Sequence, residues 1–293
     1  MSGILIPGAC DCHVHVVGPL ERFPQAPART YTAGLATLES LRAAAGPCGV
    51  TRFVIVQASF YGSDNACLLE TLDTLGNRGR GVAAIEPAIA THELLNDYAG
   101  RGVCGVRVNL YSTVSRSADS HSVGTVLESW FFRVPRTGWH VEIIAPLAVL
   151  THAAQAIARS PVPVVLDHYG LPGAVSPDSA EGRVLLNLAR LPHVWIKLSG
   201  PYRVLADPLA TAPPAAWLGA LVEAAPDRCV WGSDWPHTPA RDDQMAAGKP
   251  AAYRKFSYAE LLGQFIDALA DPALAKQILA ENPARLYGFP SGC

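Results

Sequence analysis

Eight short β-branched runs alternate with eight Ala- and Leu-rich stretches, and this alternation constrains the fold more than any other feature of the chain. The runs cover residues 10–16, 53–59, 81–86, 103–110, 140–145, 162–168, 194–199 and 229–234. The stretches at 35–45, 65–75, 91–99, 123–133, 147–159, 181–191, 215–225 and 258–269 carry apolar residues at helical spacing. Thr91 ahead of Glu93 and the Ser63-Asp64 pair supply helix caps. Strands that alternate with helices run parallel, and eight such units predict a closed (β/α)8 TIM barrel, distorted and with an extra C-terminal helix at 273–280. An open doubly wound sheet is disfavoured, because no G-x-G-x-x-G follows the first run. Nothing inside the chain reads as a linker, so residues 1–293 are expected to form a single barrel domain.

Composition narrows the function classes. At 49% apolar and 16% charged residues the chain buries a large core. A net charge of −2 without blocks of like charge excludes a nucleic-acid or anionic-membrane surface. The longest apolar runs are far too short to span a bilayer, and no basic segment leads into an apolar one near the start. The seven cysteines, Cys10, Cys12, Cys48, Cys67, Cys104, Cys229 and Cys293, lack C-x-x-C spacing. A cytoplasmic enzyme, monomer or homodimer, is the expectation, with Cys10 and Cys12 packed outward against helices as small hydrophobes.

Barrel chemistry gathers where the strands end, and polar residues concentrate there. The segment Asp11-Cys12-His13-Val14-His15 places two imidazoles one residue apart, and strict alternation puts Asp11, His13 and His15 on one face. The second run ends in Gln57 and Ser59, the fourth in Arg107 and Asn109, the sixth in His168, the seventh in Lys197 and Ser199, and the eighth in Asp234. Each has a bland alternative: Asp234 as a loop cap, His168 as a hydrogen-bonding core residue, Arg107 and Arg203 as rim ion pairs rather than carboxylate clamps. Lys197 reads as a structural interior residue, and His140 lies at the wrong end of its strand for catalysis. His237, Ser59 and Tyr31 are candidate substrate contacts or ordinary loop hydrogen-bonders. The long loop at 235–257 reads as a substrate wall.

The pieces DCHVHVVGP with downstream RTYT, VQASFYGSDN, GVRVNL, VVLDHYG, VWIKLSGPYR, VWGSDWPH and ENPARLYGF run in order over nearly the whole chain. Together they resemble the amidohydrolase superfamily, in the branch containing 2-pyrone-4,6-dicarboxylate lactonases and sugar lactonases. The resemblance implies His13, His15, His168 and Asp234 around a reacting carbonyl, with Asp234 as general base for water attack on a small anionic lactone. It also implies that Tyr31, Ser59, Arg107 and Arg203 hold substrate carboxylates, and it points to aromatic-compound catabolism.

Two departures qualify the resemblance. Metal-dependent members place a His at the end of strand five, where this chain has Ile143-Ile144-Ala145. That leaves either no metal or one divalent ion, Zn or Mn, on His13, His15 and Asp234, with His168 as a further ligand. The dicarboxylate lactonases also carry a second Arg soon after the strand-four Arg, where this chain reads LYSTVSR; Arg116 is the available substitute. A sugar lactonase, a metal-dependent non-oxidative decarboxylase of the same superfamily and a non-catalytic binding barrel are the alternatives.

Overall fold

A computed structural model of the protein describes residues 5–111, 120–134, 137–239 and 250–290. Arg116, the substitute second arginine, lies outside the described residues. Eight strands pair in parallel in chain order: β1 (Cys10–Val14), β2 (Arg52–Val56), β3 (Gly79–Ala83), β4 (Val103–Asn109), β5 (His140–Ile144), β6 (Val164–Leu166), β7 (Val194–Ser199) and β8 (Cys229–Gly232). Eight helices return the chain between them and after β8: α1 (Leu38–Ala45), α2 (Ala66–Leu75), α3 (His92–Gly100), α4 (Ser120–Arg133), α5 (Leu147–Ala158), α6 (Ala180–Ala189), α7 (Ala215–Ala224) and α8 (Tyr258–Leu269). The architecture is the expected (β/α)8 barrel. The Thr91 side chain caps α3 as the sequence suggests, and no helix among the described residues is long and apolar enough to cross a membrane.

The ring closes just beyond the end of β8. Asp234 N donates to His13 O at 2.9 Å and His15 N to Trp235 O at 2.8 Å, while Ser233 N donates to the Asp11 side chain at 2.9 Å. Gly232 permits this seam, since a Cβ there would stand 2.6 Å from His13 Cβ. The register of β1 against β2 shifts between Asp11 and Val14, and that irregularity corrects two expectations. Asp11 points out to α8, accepting from Tyr258 Oη at 2.9 Å, and does not share a face with His15. Cys10 and Cys12 point inward, packed with Val54, Val56, Val165, Trp195 and Val230. One extra residue in a strand reverses the faces on either side of it, which strict alternation does not anticipate.

Several strands also end earlier than their apolar runs: β2 stops at Val56, β6 at Leu166 and β8 at Gly232. The residues that follow leave the ladder to turn into the site. The final helix is longer than 273–280: α9 (Pro272–Lys276) passes through a π-helical segment, Gln277–Glu281, into α10 (Asn282–Tyr287). The wider segment precedes Pro283, which has no N–H for an α-helical bond. The buried Asn282 amide donates to Pro226 O at 2.9 Å and Cys229 O at 2.7 Å, tying this helix to the entry of β8. Beyond it the chain seals the floor of the barrel. Arg80 Nε donates to Tyr287 O at 2.9 Å and Arg52 Nη2 to Pro290 O at 3.0 Å, with both guanidiniums over the Phe289 ring.

Candidate active site

At the opposite end, a cavity of about 380 Å³ opens among the loops that follow the strands. Six residues singled out from the sequence line it, namely His15, Tyr31, Ser59, Arg107, Asn109 and Arg203, joined by Tyr202, Thr238 and Arg254. His13, His168 and Asp234 lie behind them, each at most 1% exposed. His237 is also buried but is not on the wall; its ring packs edge-on against Tyr202 and Phe256. Gln57 is spent locally, donating to Asp64 O at 2.7 Å within its own loop.

The backbone works to aim these side chains. His168 and Asp234 have φ of 51° and 61°, and His237 has 66°, a left-handed conformation that costs a non-glycine residue free energy. Backbone bonds fix the turns: His237 N to Asp234 O at 2.8 Å, and Gly170 N to Asp167 O at 2.9 Å. Gly200, itself at φ 56°, leaves room for the carboxylate, since a Cβ there would sit 3.1 Å from Asp234 Oδ2.

The two oxygens of Asp234 have different surroundings. Oδ2 accepts from Tyr202 Oη at 2.6 Å and from Arg203 Nε. Oδ1 faces His15 Nε2 at 3.5 Å and His13 Nε2 at 3.6 Å. Burial alone pushes this carboxyl up, but the Arg203 guanidinium, with His15 and the other imidazoles, outweighs it and holds the pKa well below 3.8. Burial and Asp234 push the Tyr202 phenol well above its ordinary value, so it stays a donor. Burial, with Lys197 and the neighbouring imidazoles, holds His13 well below 6.5; burial brings His168 and His237 down to about 4. His13, His168 and His237 are therefore neutral near pH 7.

Neutral imidazoles have one N–H each, and their partners assign it. His15 Nδ1 is 2.8 Å from Val56 O, an acceptor only, so Nδ1 carries a proton there. His13 Nδ1 is 3.4 Å from Asp167 Oδ1, close enough to pair without a hydrogen bond being made. His168 Nδ1 lies 2.9 Å from Ser199 Oγ and 3.3 Å from Ser199 O. The Nε2 atoms of His13 and His15 thus converge on a carboxylate oxygen, an arrangement that suits a cation or shared protons. His13, His15 and Asp234 have ligand atoms within 4.8 Å of one another, and His13, Asp167 and His168 form a second such group. The donor set fits one divalent ion.

A layer that sequence reasoning missed underlies the imidazoles. Lys197 is fully buried, as expected for an interior residue, but its Nζ meets Glu142 Oε2 and lies 3.4 Å from Asp167 Oδ1. Arg107 Nη2 reaches Asp167 Oδ2 at 3.5 Å and its Nη1 donates to Gln57 O at 2.8 Å, so this arginine is both ion-paired and on the cavity wall. Burial opposes every charge in the layer, yet Lys197 holds Glu142 and Asp167 below their ordinary values and is itself held above its own. The one signal was an acid inside the apolar strand β5. Tyr202, Thr238 and Arg254 were also unforeseen.

Comparison with known proteins places the fold in a family. The amidohydrolase family model matches residues 10–289. The chain belongs to the amidohydrolase family. It is 34% identical to the 2-pyrone-4,6-dicarboxylate hydrolase of Comamonas testosteroni over 298 aligned positions, covering 96% of this chain and 90% of that one. It is 31% identical to the 4-sulfomuconolactone hydrolase of Rhizobium radiobacter, again covering 96% and 90%. A crystal structure of an Agrobacterium tumefaciens protein superimposes with a TM-score of 0.80 over 97% of each chain at 23% identity, a likeness of fold.

Proposed function

We propose that this amidohydrolase is a lactonase that opens a small anionic lactone of the 2-pyrone-4,6-dicarboxylate type. The observation that carries the reading is the placement of an ionised, arginine-oriented carboxylate, Asp234, directly behind a cavity walled by guanidiniums. Both relatives named above are lactone hydrolases of anionic compounds, and each matches this chain almost end to end.

In this reading Tyr202 and Arg203 fix Oδ2 of Asp234, leaving Oδ1 to take a proton from the attacking water. The water oxygen bonds to the lactone carbonyl carbon, the ring C–O bond then breaks, and the proton passes to the departing oxygen. Arg107, Arg203, Tyr31 and Ser59 hold the anionic substrate against the wall. His13 and His168 stand beside the reacting centre, oriented by Asp167 and Ser199. An ion on His13, His15 and Asp234, Zn or Mn, would supply Lewis acidity toward the carbonyl when bound. A cytoplasmic role in aromatic-compound catabolism follows from the same reading.

The test is the ultraviolet loss of 2-pyrone-4,6-dicarboxylate with purified protein, run with and without a strong chelator. Rapid loss in both supports a lactonase that needs no ion, and loss abolished by the chelator and restored by Zn or Mn supports the metal-assisted form. No loss under either condition, or with added metal, overturns the pyrone assignment.

A further inference from the structure

Beyond β6 the backbone turns with the unfavourable hand. His168, Tyr169, Gly170 and Leu171 have φ of 51°, 57°, 74° and 44°, one continuous left-handed turn in which only Gly170 escapes the steric cost. Two of the other three have an evident use. His168 is delivered beside His13, their ring centres 4.7 Å apart, and Tyr169 fills the core. Leu171 does neither: among the described residues it stands outside the hydrophobic core, and its half-buried side chain lines the cavity. Its backbone is held from both sides. Leu171 N donates to His168 O at 2.9 Å, and its carbonyl accepts from Leu147 N at 3.1 Å, at the start of α5. Pro172 follows, and a residue before proline prefers extended backbone, so the turn is held against local preference.

Around the cavity the contributions run in strand order: Arg107 from β4, Ile144 from β5, Leu171 from the turn after β6 and Arg203 from the segment after β7. Among the described residues, the arc of wall between these two guanidiniums is therefore formed by two aliphatic side chains. A ligand held by both arginines lays the edge between its anionic groups on this hydrocarbon. A hydroxyl pressed there loses its water without gaining a partner.

We propose that Leu171, backed by Ile144, is a specificity-determining residue that selects anionic substrates with an unhydroxylated edge and rejects hydroxylated sugar acids and their lactones. The inference rests on the lactonase reading for where the substrate's anionic groups sit, but it is tested by binding alone. It gives the strained turn a use that reaches past His168.

Calorimetric binding of benzene-1,3-dicarboxylate and galactarate provides the test. The two carry equal charge, and only the second has hydroxylated carbons between its carboxylates. Wild type should bind the first at least about ten-fold more tightly. Leu171→Asn should weaken the first by about 5- to 50-fold and leave galactarate within about two-fold, or tighten it. Asparagine tolerates left-handed backbone, so the variant's Tm should match or exceed that of wild type, whereas a merely structural leucine predicts a loss. Leu171→Met, which keeps the hydrocarbon, should hold the aromatic probe within about three-fold of wild type. Equal weakening of both probes, a wild type without the preference, or an asparagine variant that melts well below wild type overturns the proposal. A Leu171-dependent preference in a protein that opens no lactone would leave the proposal standing and remove the lactonase reading instead.

Discussion

Asp11 and Asp234 sit on opposite sides of the same seam, both wholly buried, and they have opposite electrostatic fates. Asp11 receives dipoles: the N–H groups of Ser233 and His13 and the hydroxyl of Tyr258. These lower its pKa but do not overcome burial, which leaves it raised from 3.8 to about 6. Asp234 receives a guanidinium as well as a hydroxyl, and falls well below 3.8. Neutral donors soften the desolvation of a carboxylate, whereas a full counter-charge reverses it. The first arrangement makes a structural staple across the barrel seam; the second makes a carboxylate that stays ionised behind the cavity.

The sharpest way to break this comparison is Asp234→Asn. The isosteric amide keeps the shape but is not a base, so kcat should fall by about 1000-fold or more with the folded state retained by circular dichroism. Activity near that of wild type would remove Asp234 as the base. The next largest effect is expected from Lys197→Met, which strips the counter-charge from Glu142 and Asp167. Denaturant titration should show a loss of about 3–5 kcal/mol, the usual cost of breaking a buried pair. Adding Glu142→Gln should recover part of that loss, and a double variant no better than the single would contradict the pairing.

The smallest effect sharpens the other side. Because the folded state raises the Asp11 pKa, it binds the proton more tightly than the unfolded chain between pH 3.8 and about 6. The Asp11 contribution to stability is therefore fully present below pH 3.8 and is lost as pH rises through about 6. Asp11→Asn, whose amide stays neutral, should gain on wild type by up to about 3 kcal/mol between pH 4 and pH 7. A stability difference that does not vary with pH would show that dipoles alone suffice to keep Asp11 ionised.

What the sequence disclosed follows the range of the interactions involved. The eight strands and their helices were legible because periodicity is local, and His13, His15, His168 and Asp234 were legible because barrel strands deliver their ends to one face. The inward turn of Cys12 was not, because it depends on a single irregular residue in β1. Glu142 and Lys197 lie on strands that are not neighbours, so only closure of the ring shows that they meet. Arg254 was hidden for a further reason: a charged residue in a long loop has no period, and its place on the wall is set by carbonyls at Pro208 and Thr238. Arg107 and Arg203 line the cavity, and the carboxylates they pair with emerged only with the fold.

The barrel floor carries a consequence for biosynthesis. The bonds from Arg80 to Tyr287 and from Arg52 to Pro290 span 207 and 238 residues, so two arginines translated early wait for partners translated after every strand. A ribosome can release all eight strands and every site residue into the tunnel exit while the floor is still missing its plug. Until residues 287–290 emerge, the charged ends of β2 and β3 remain open to solvent, and the ring of strands can form only as an unsealed tube. Closure of the floor thus separates a chain that carries the site residues from one that has a sealed interior to support them.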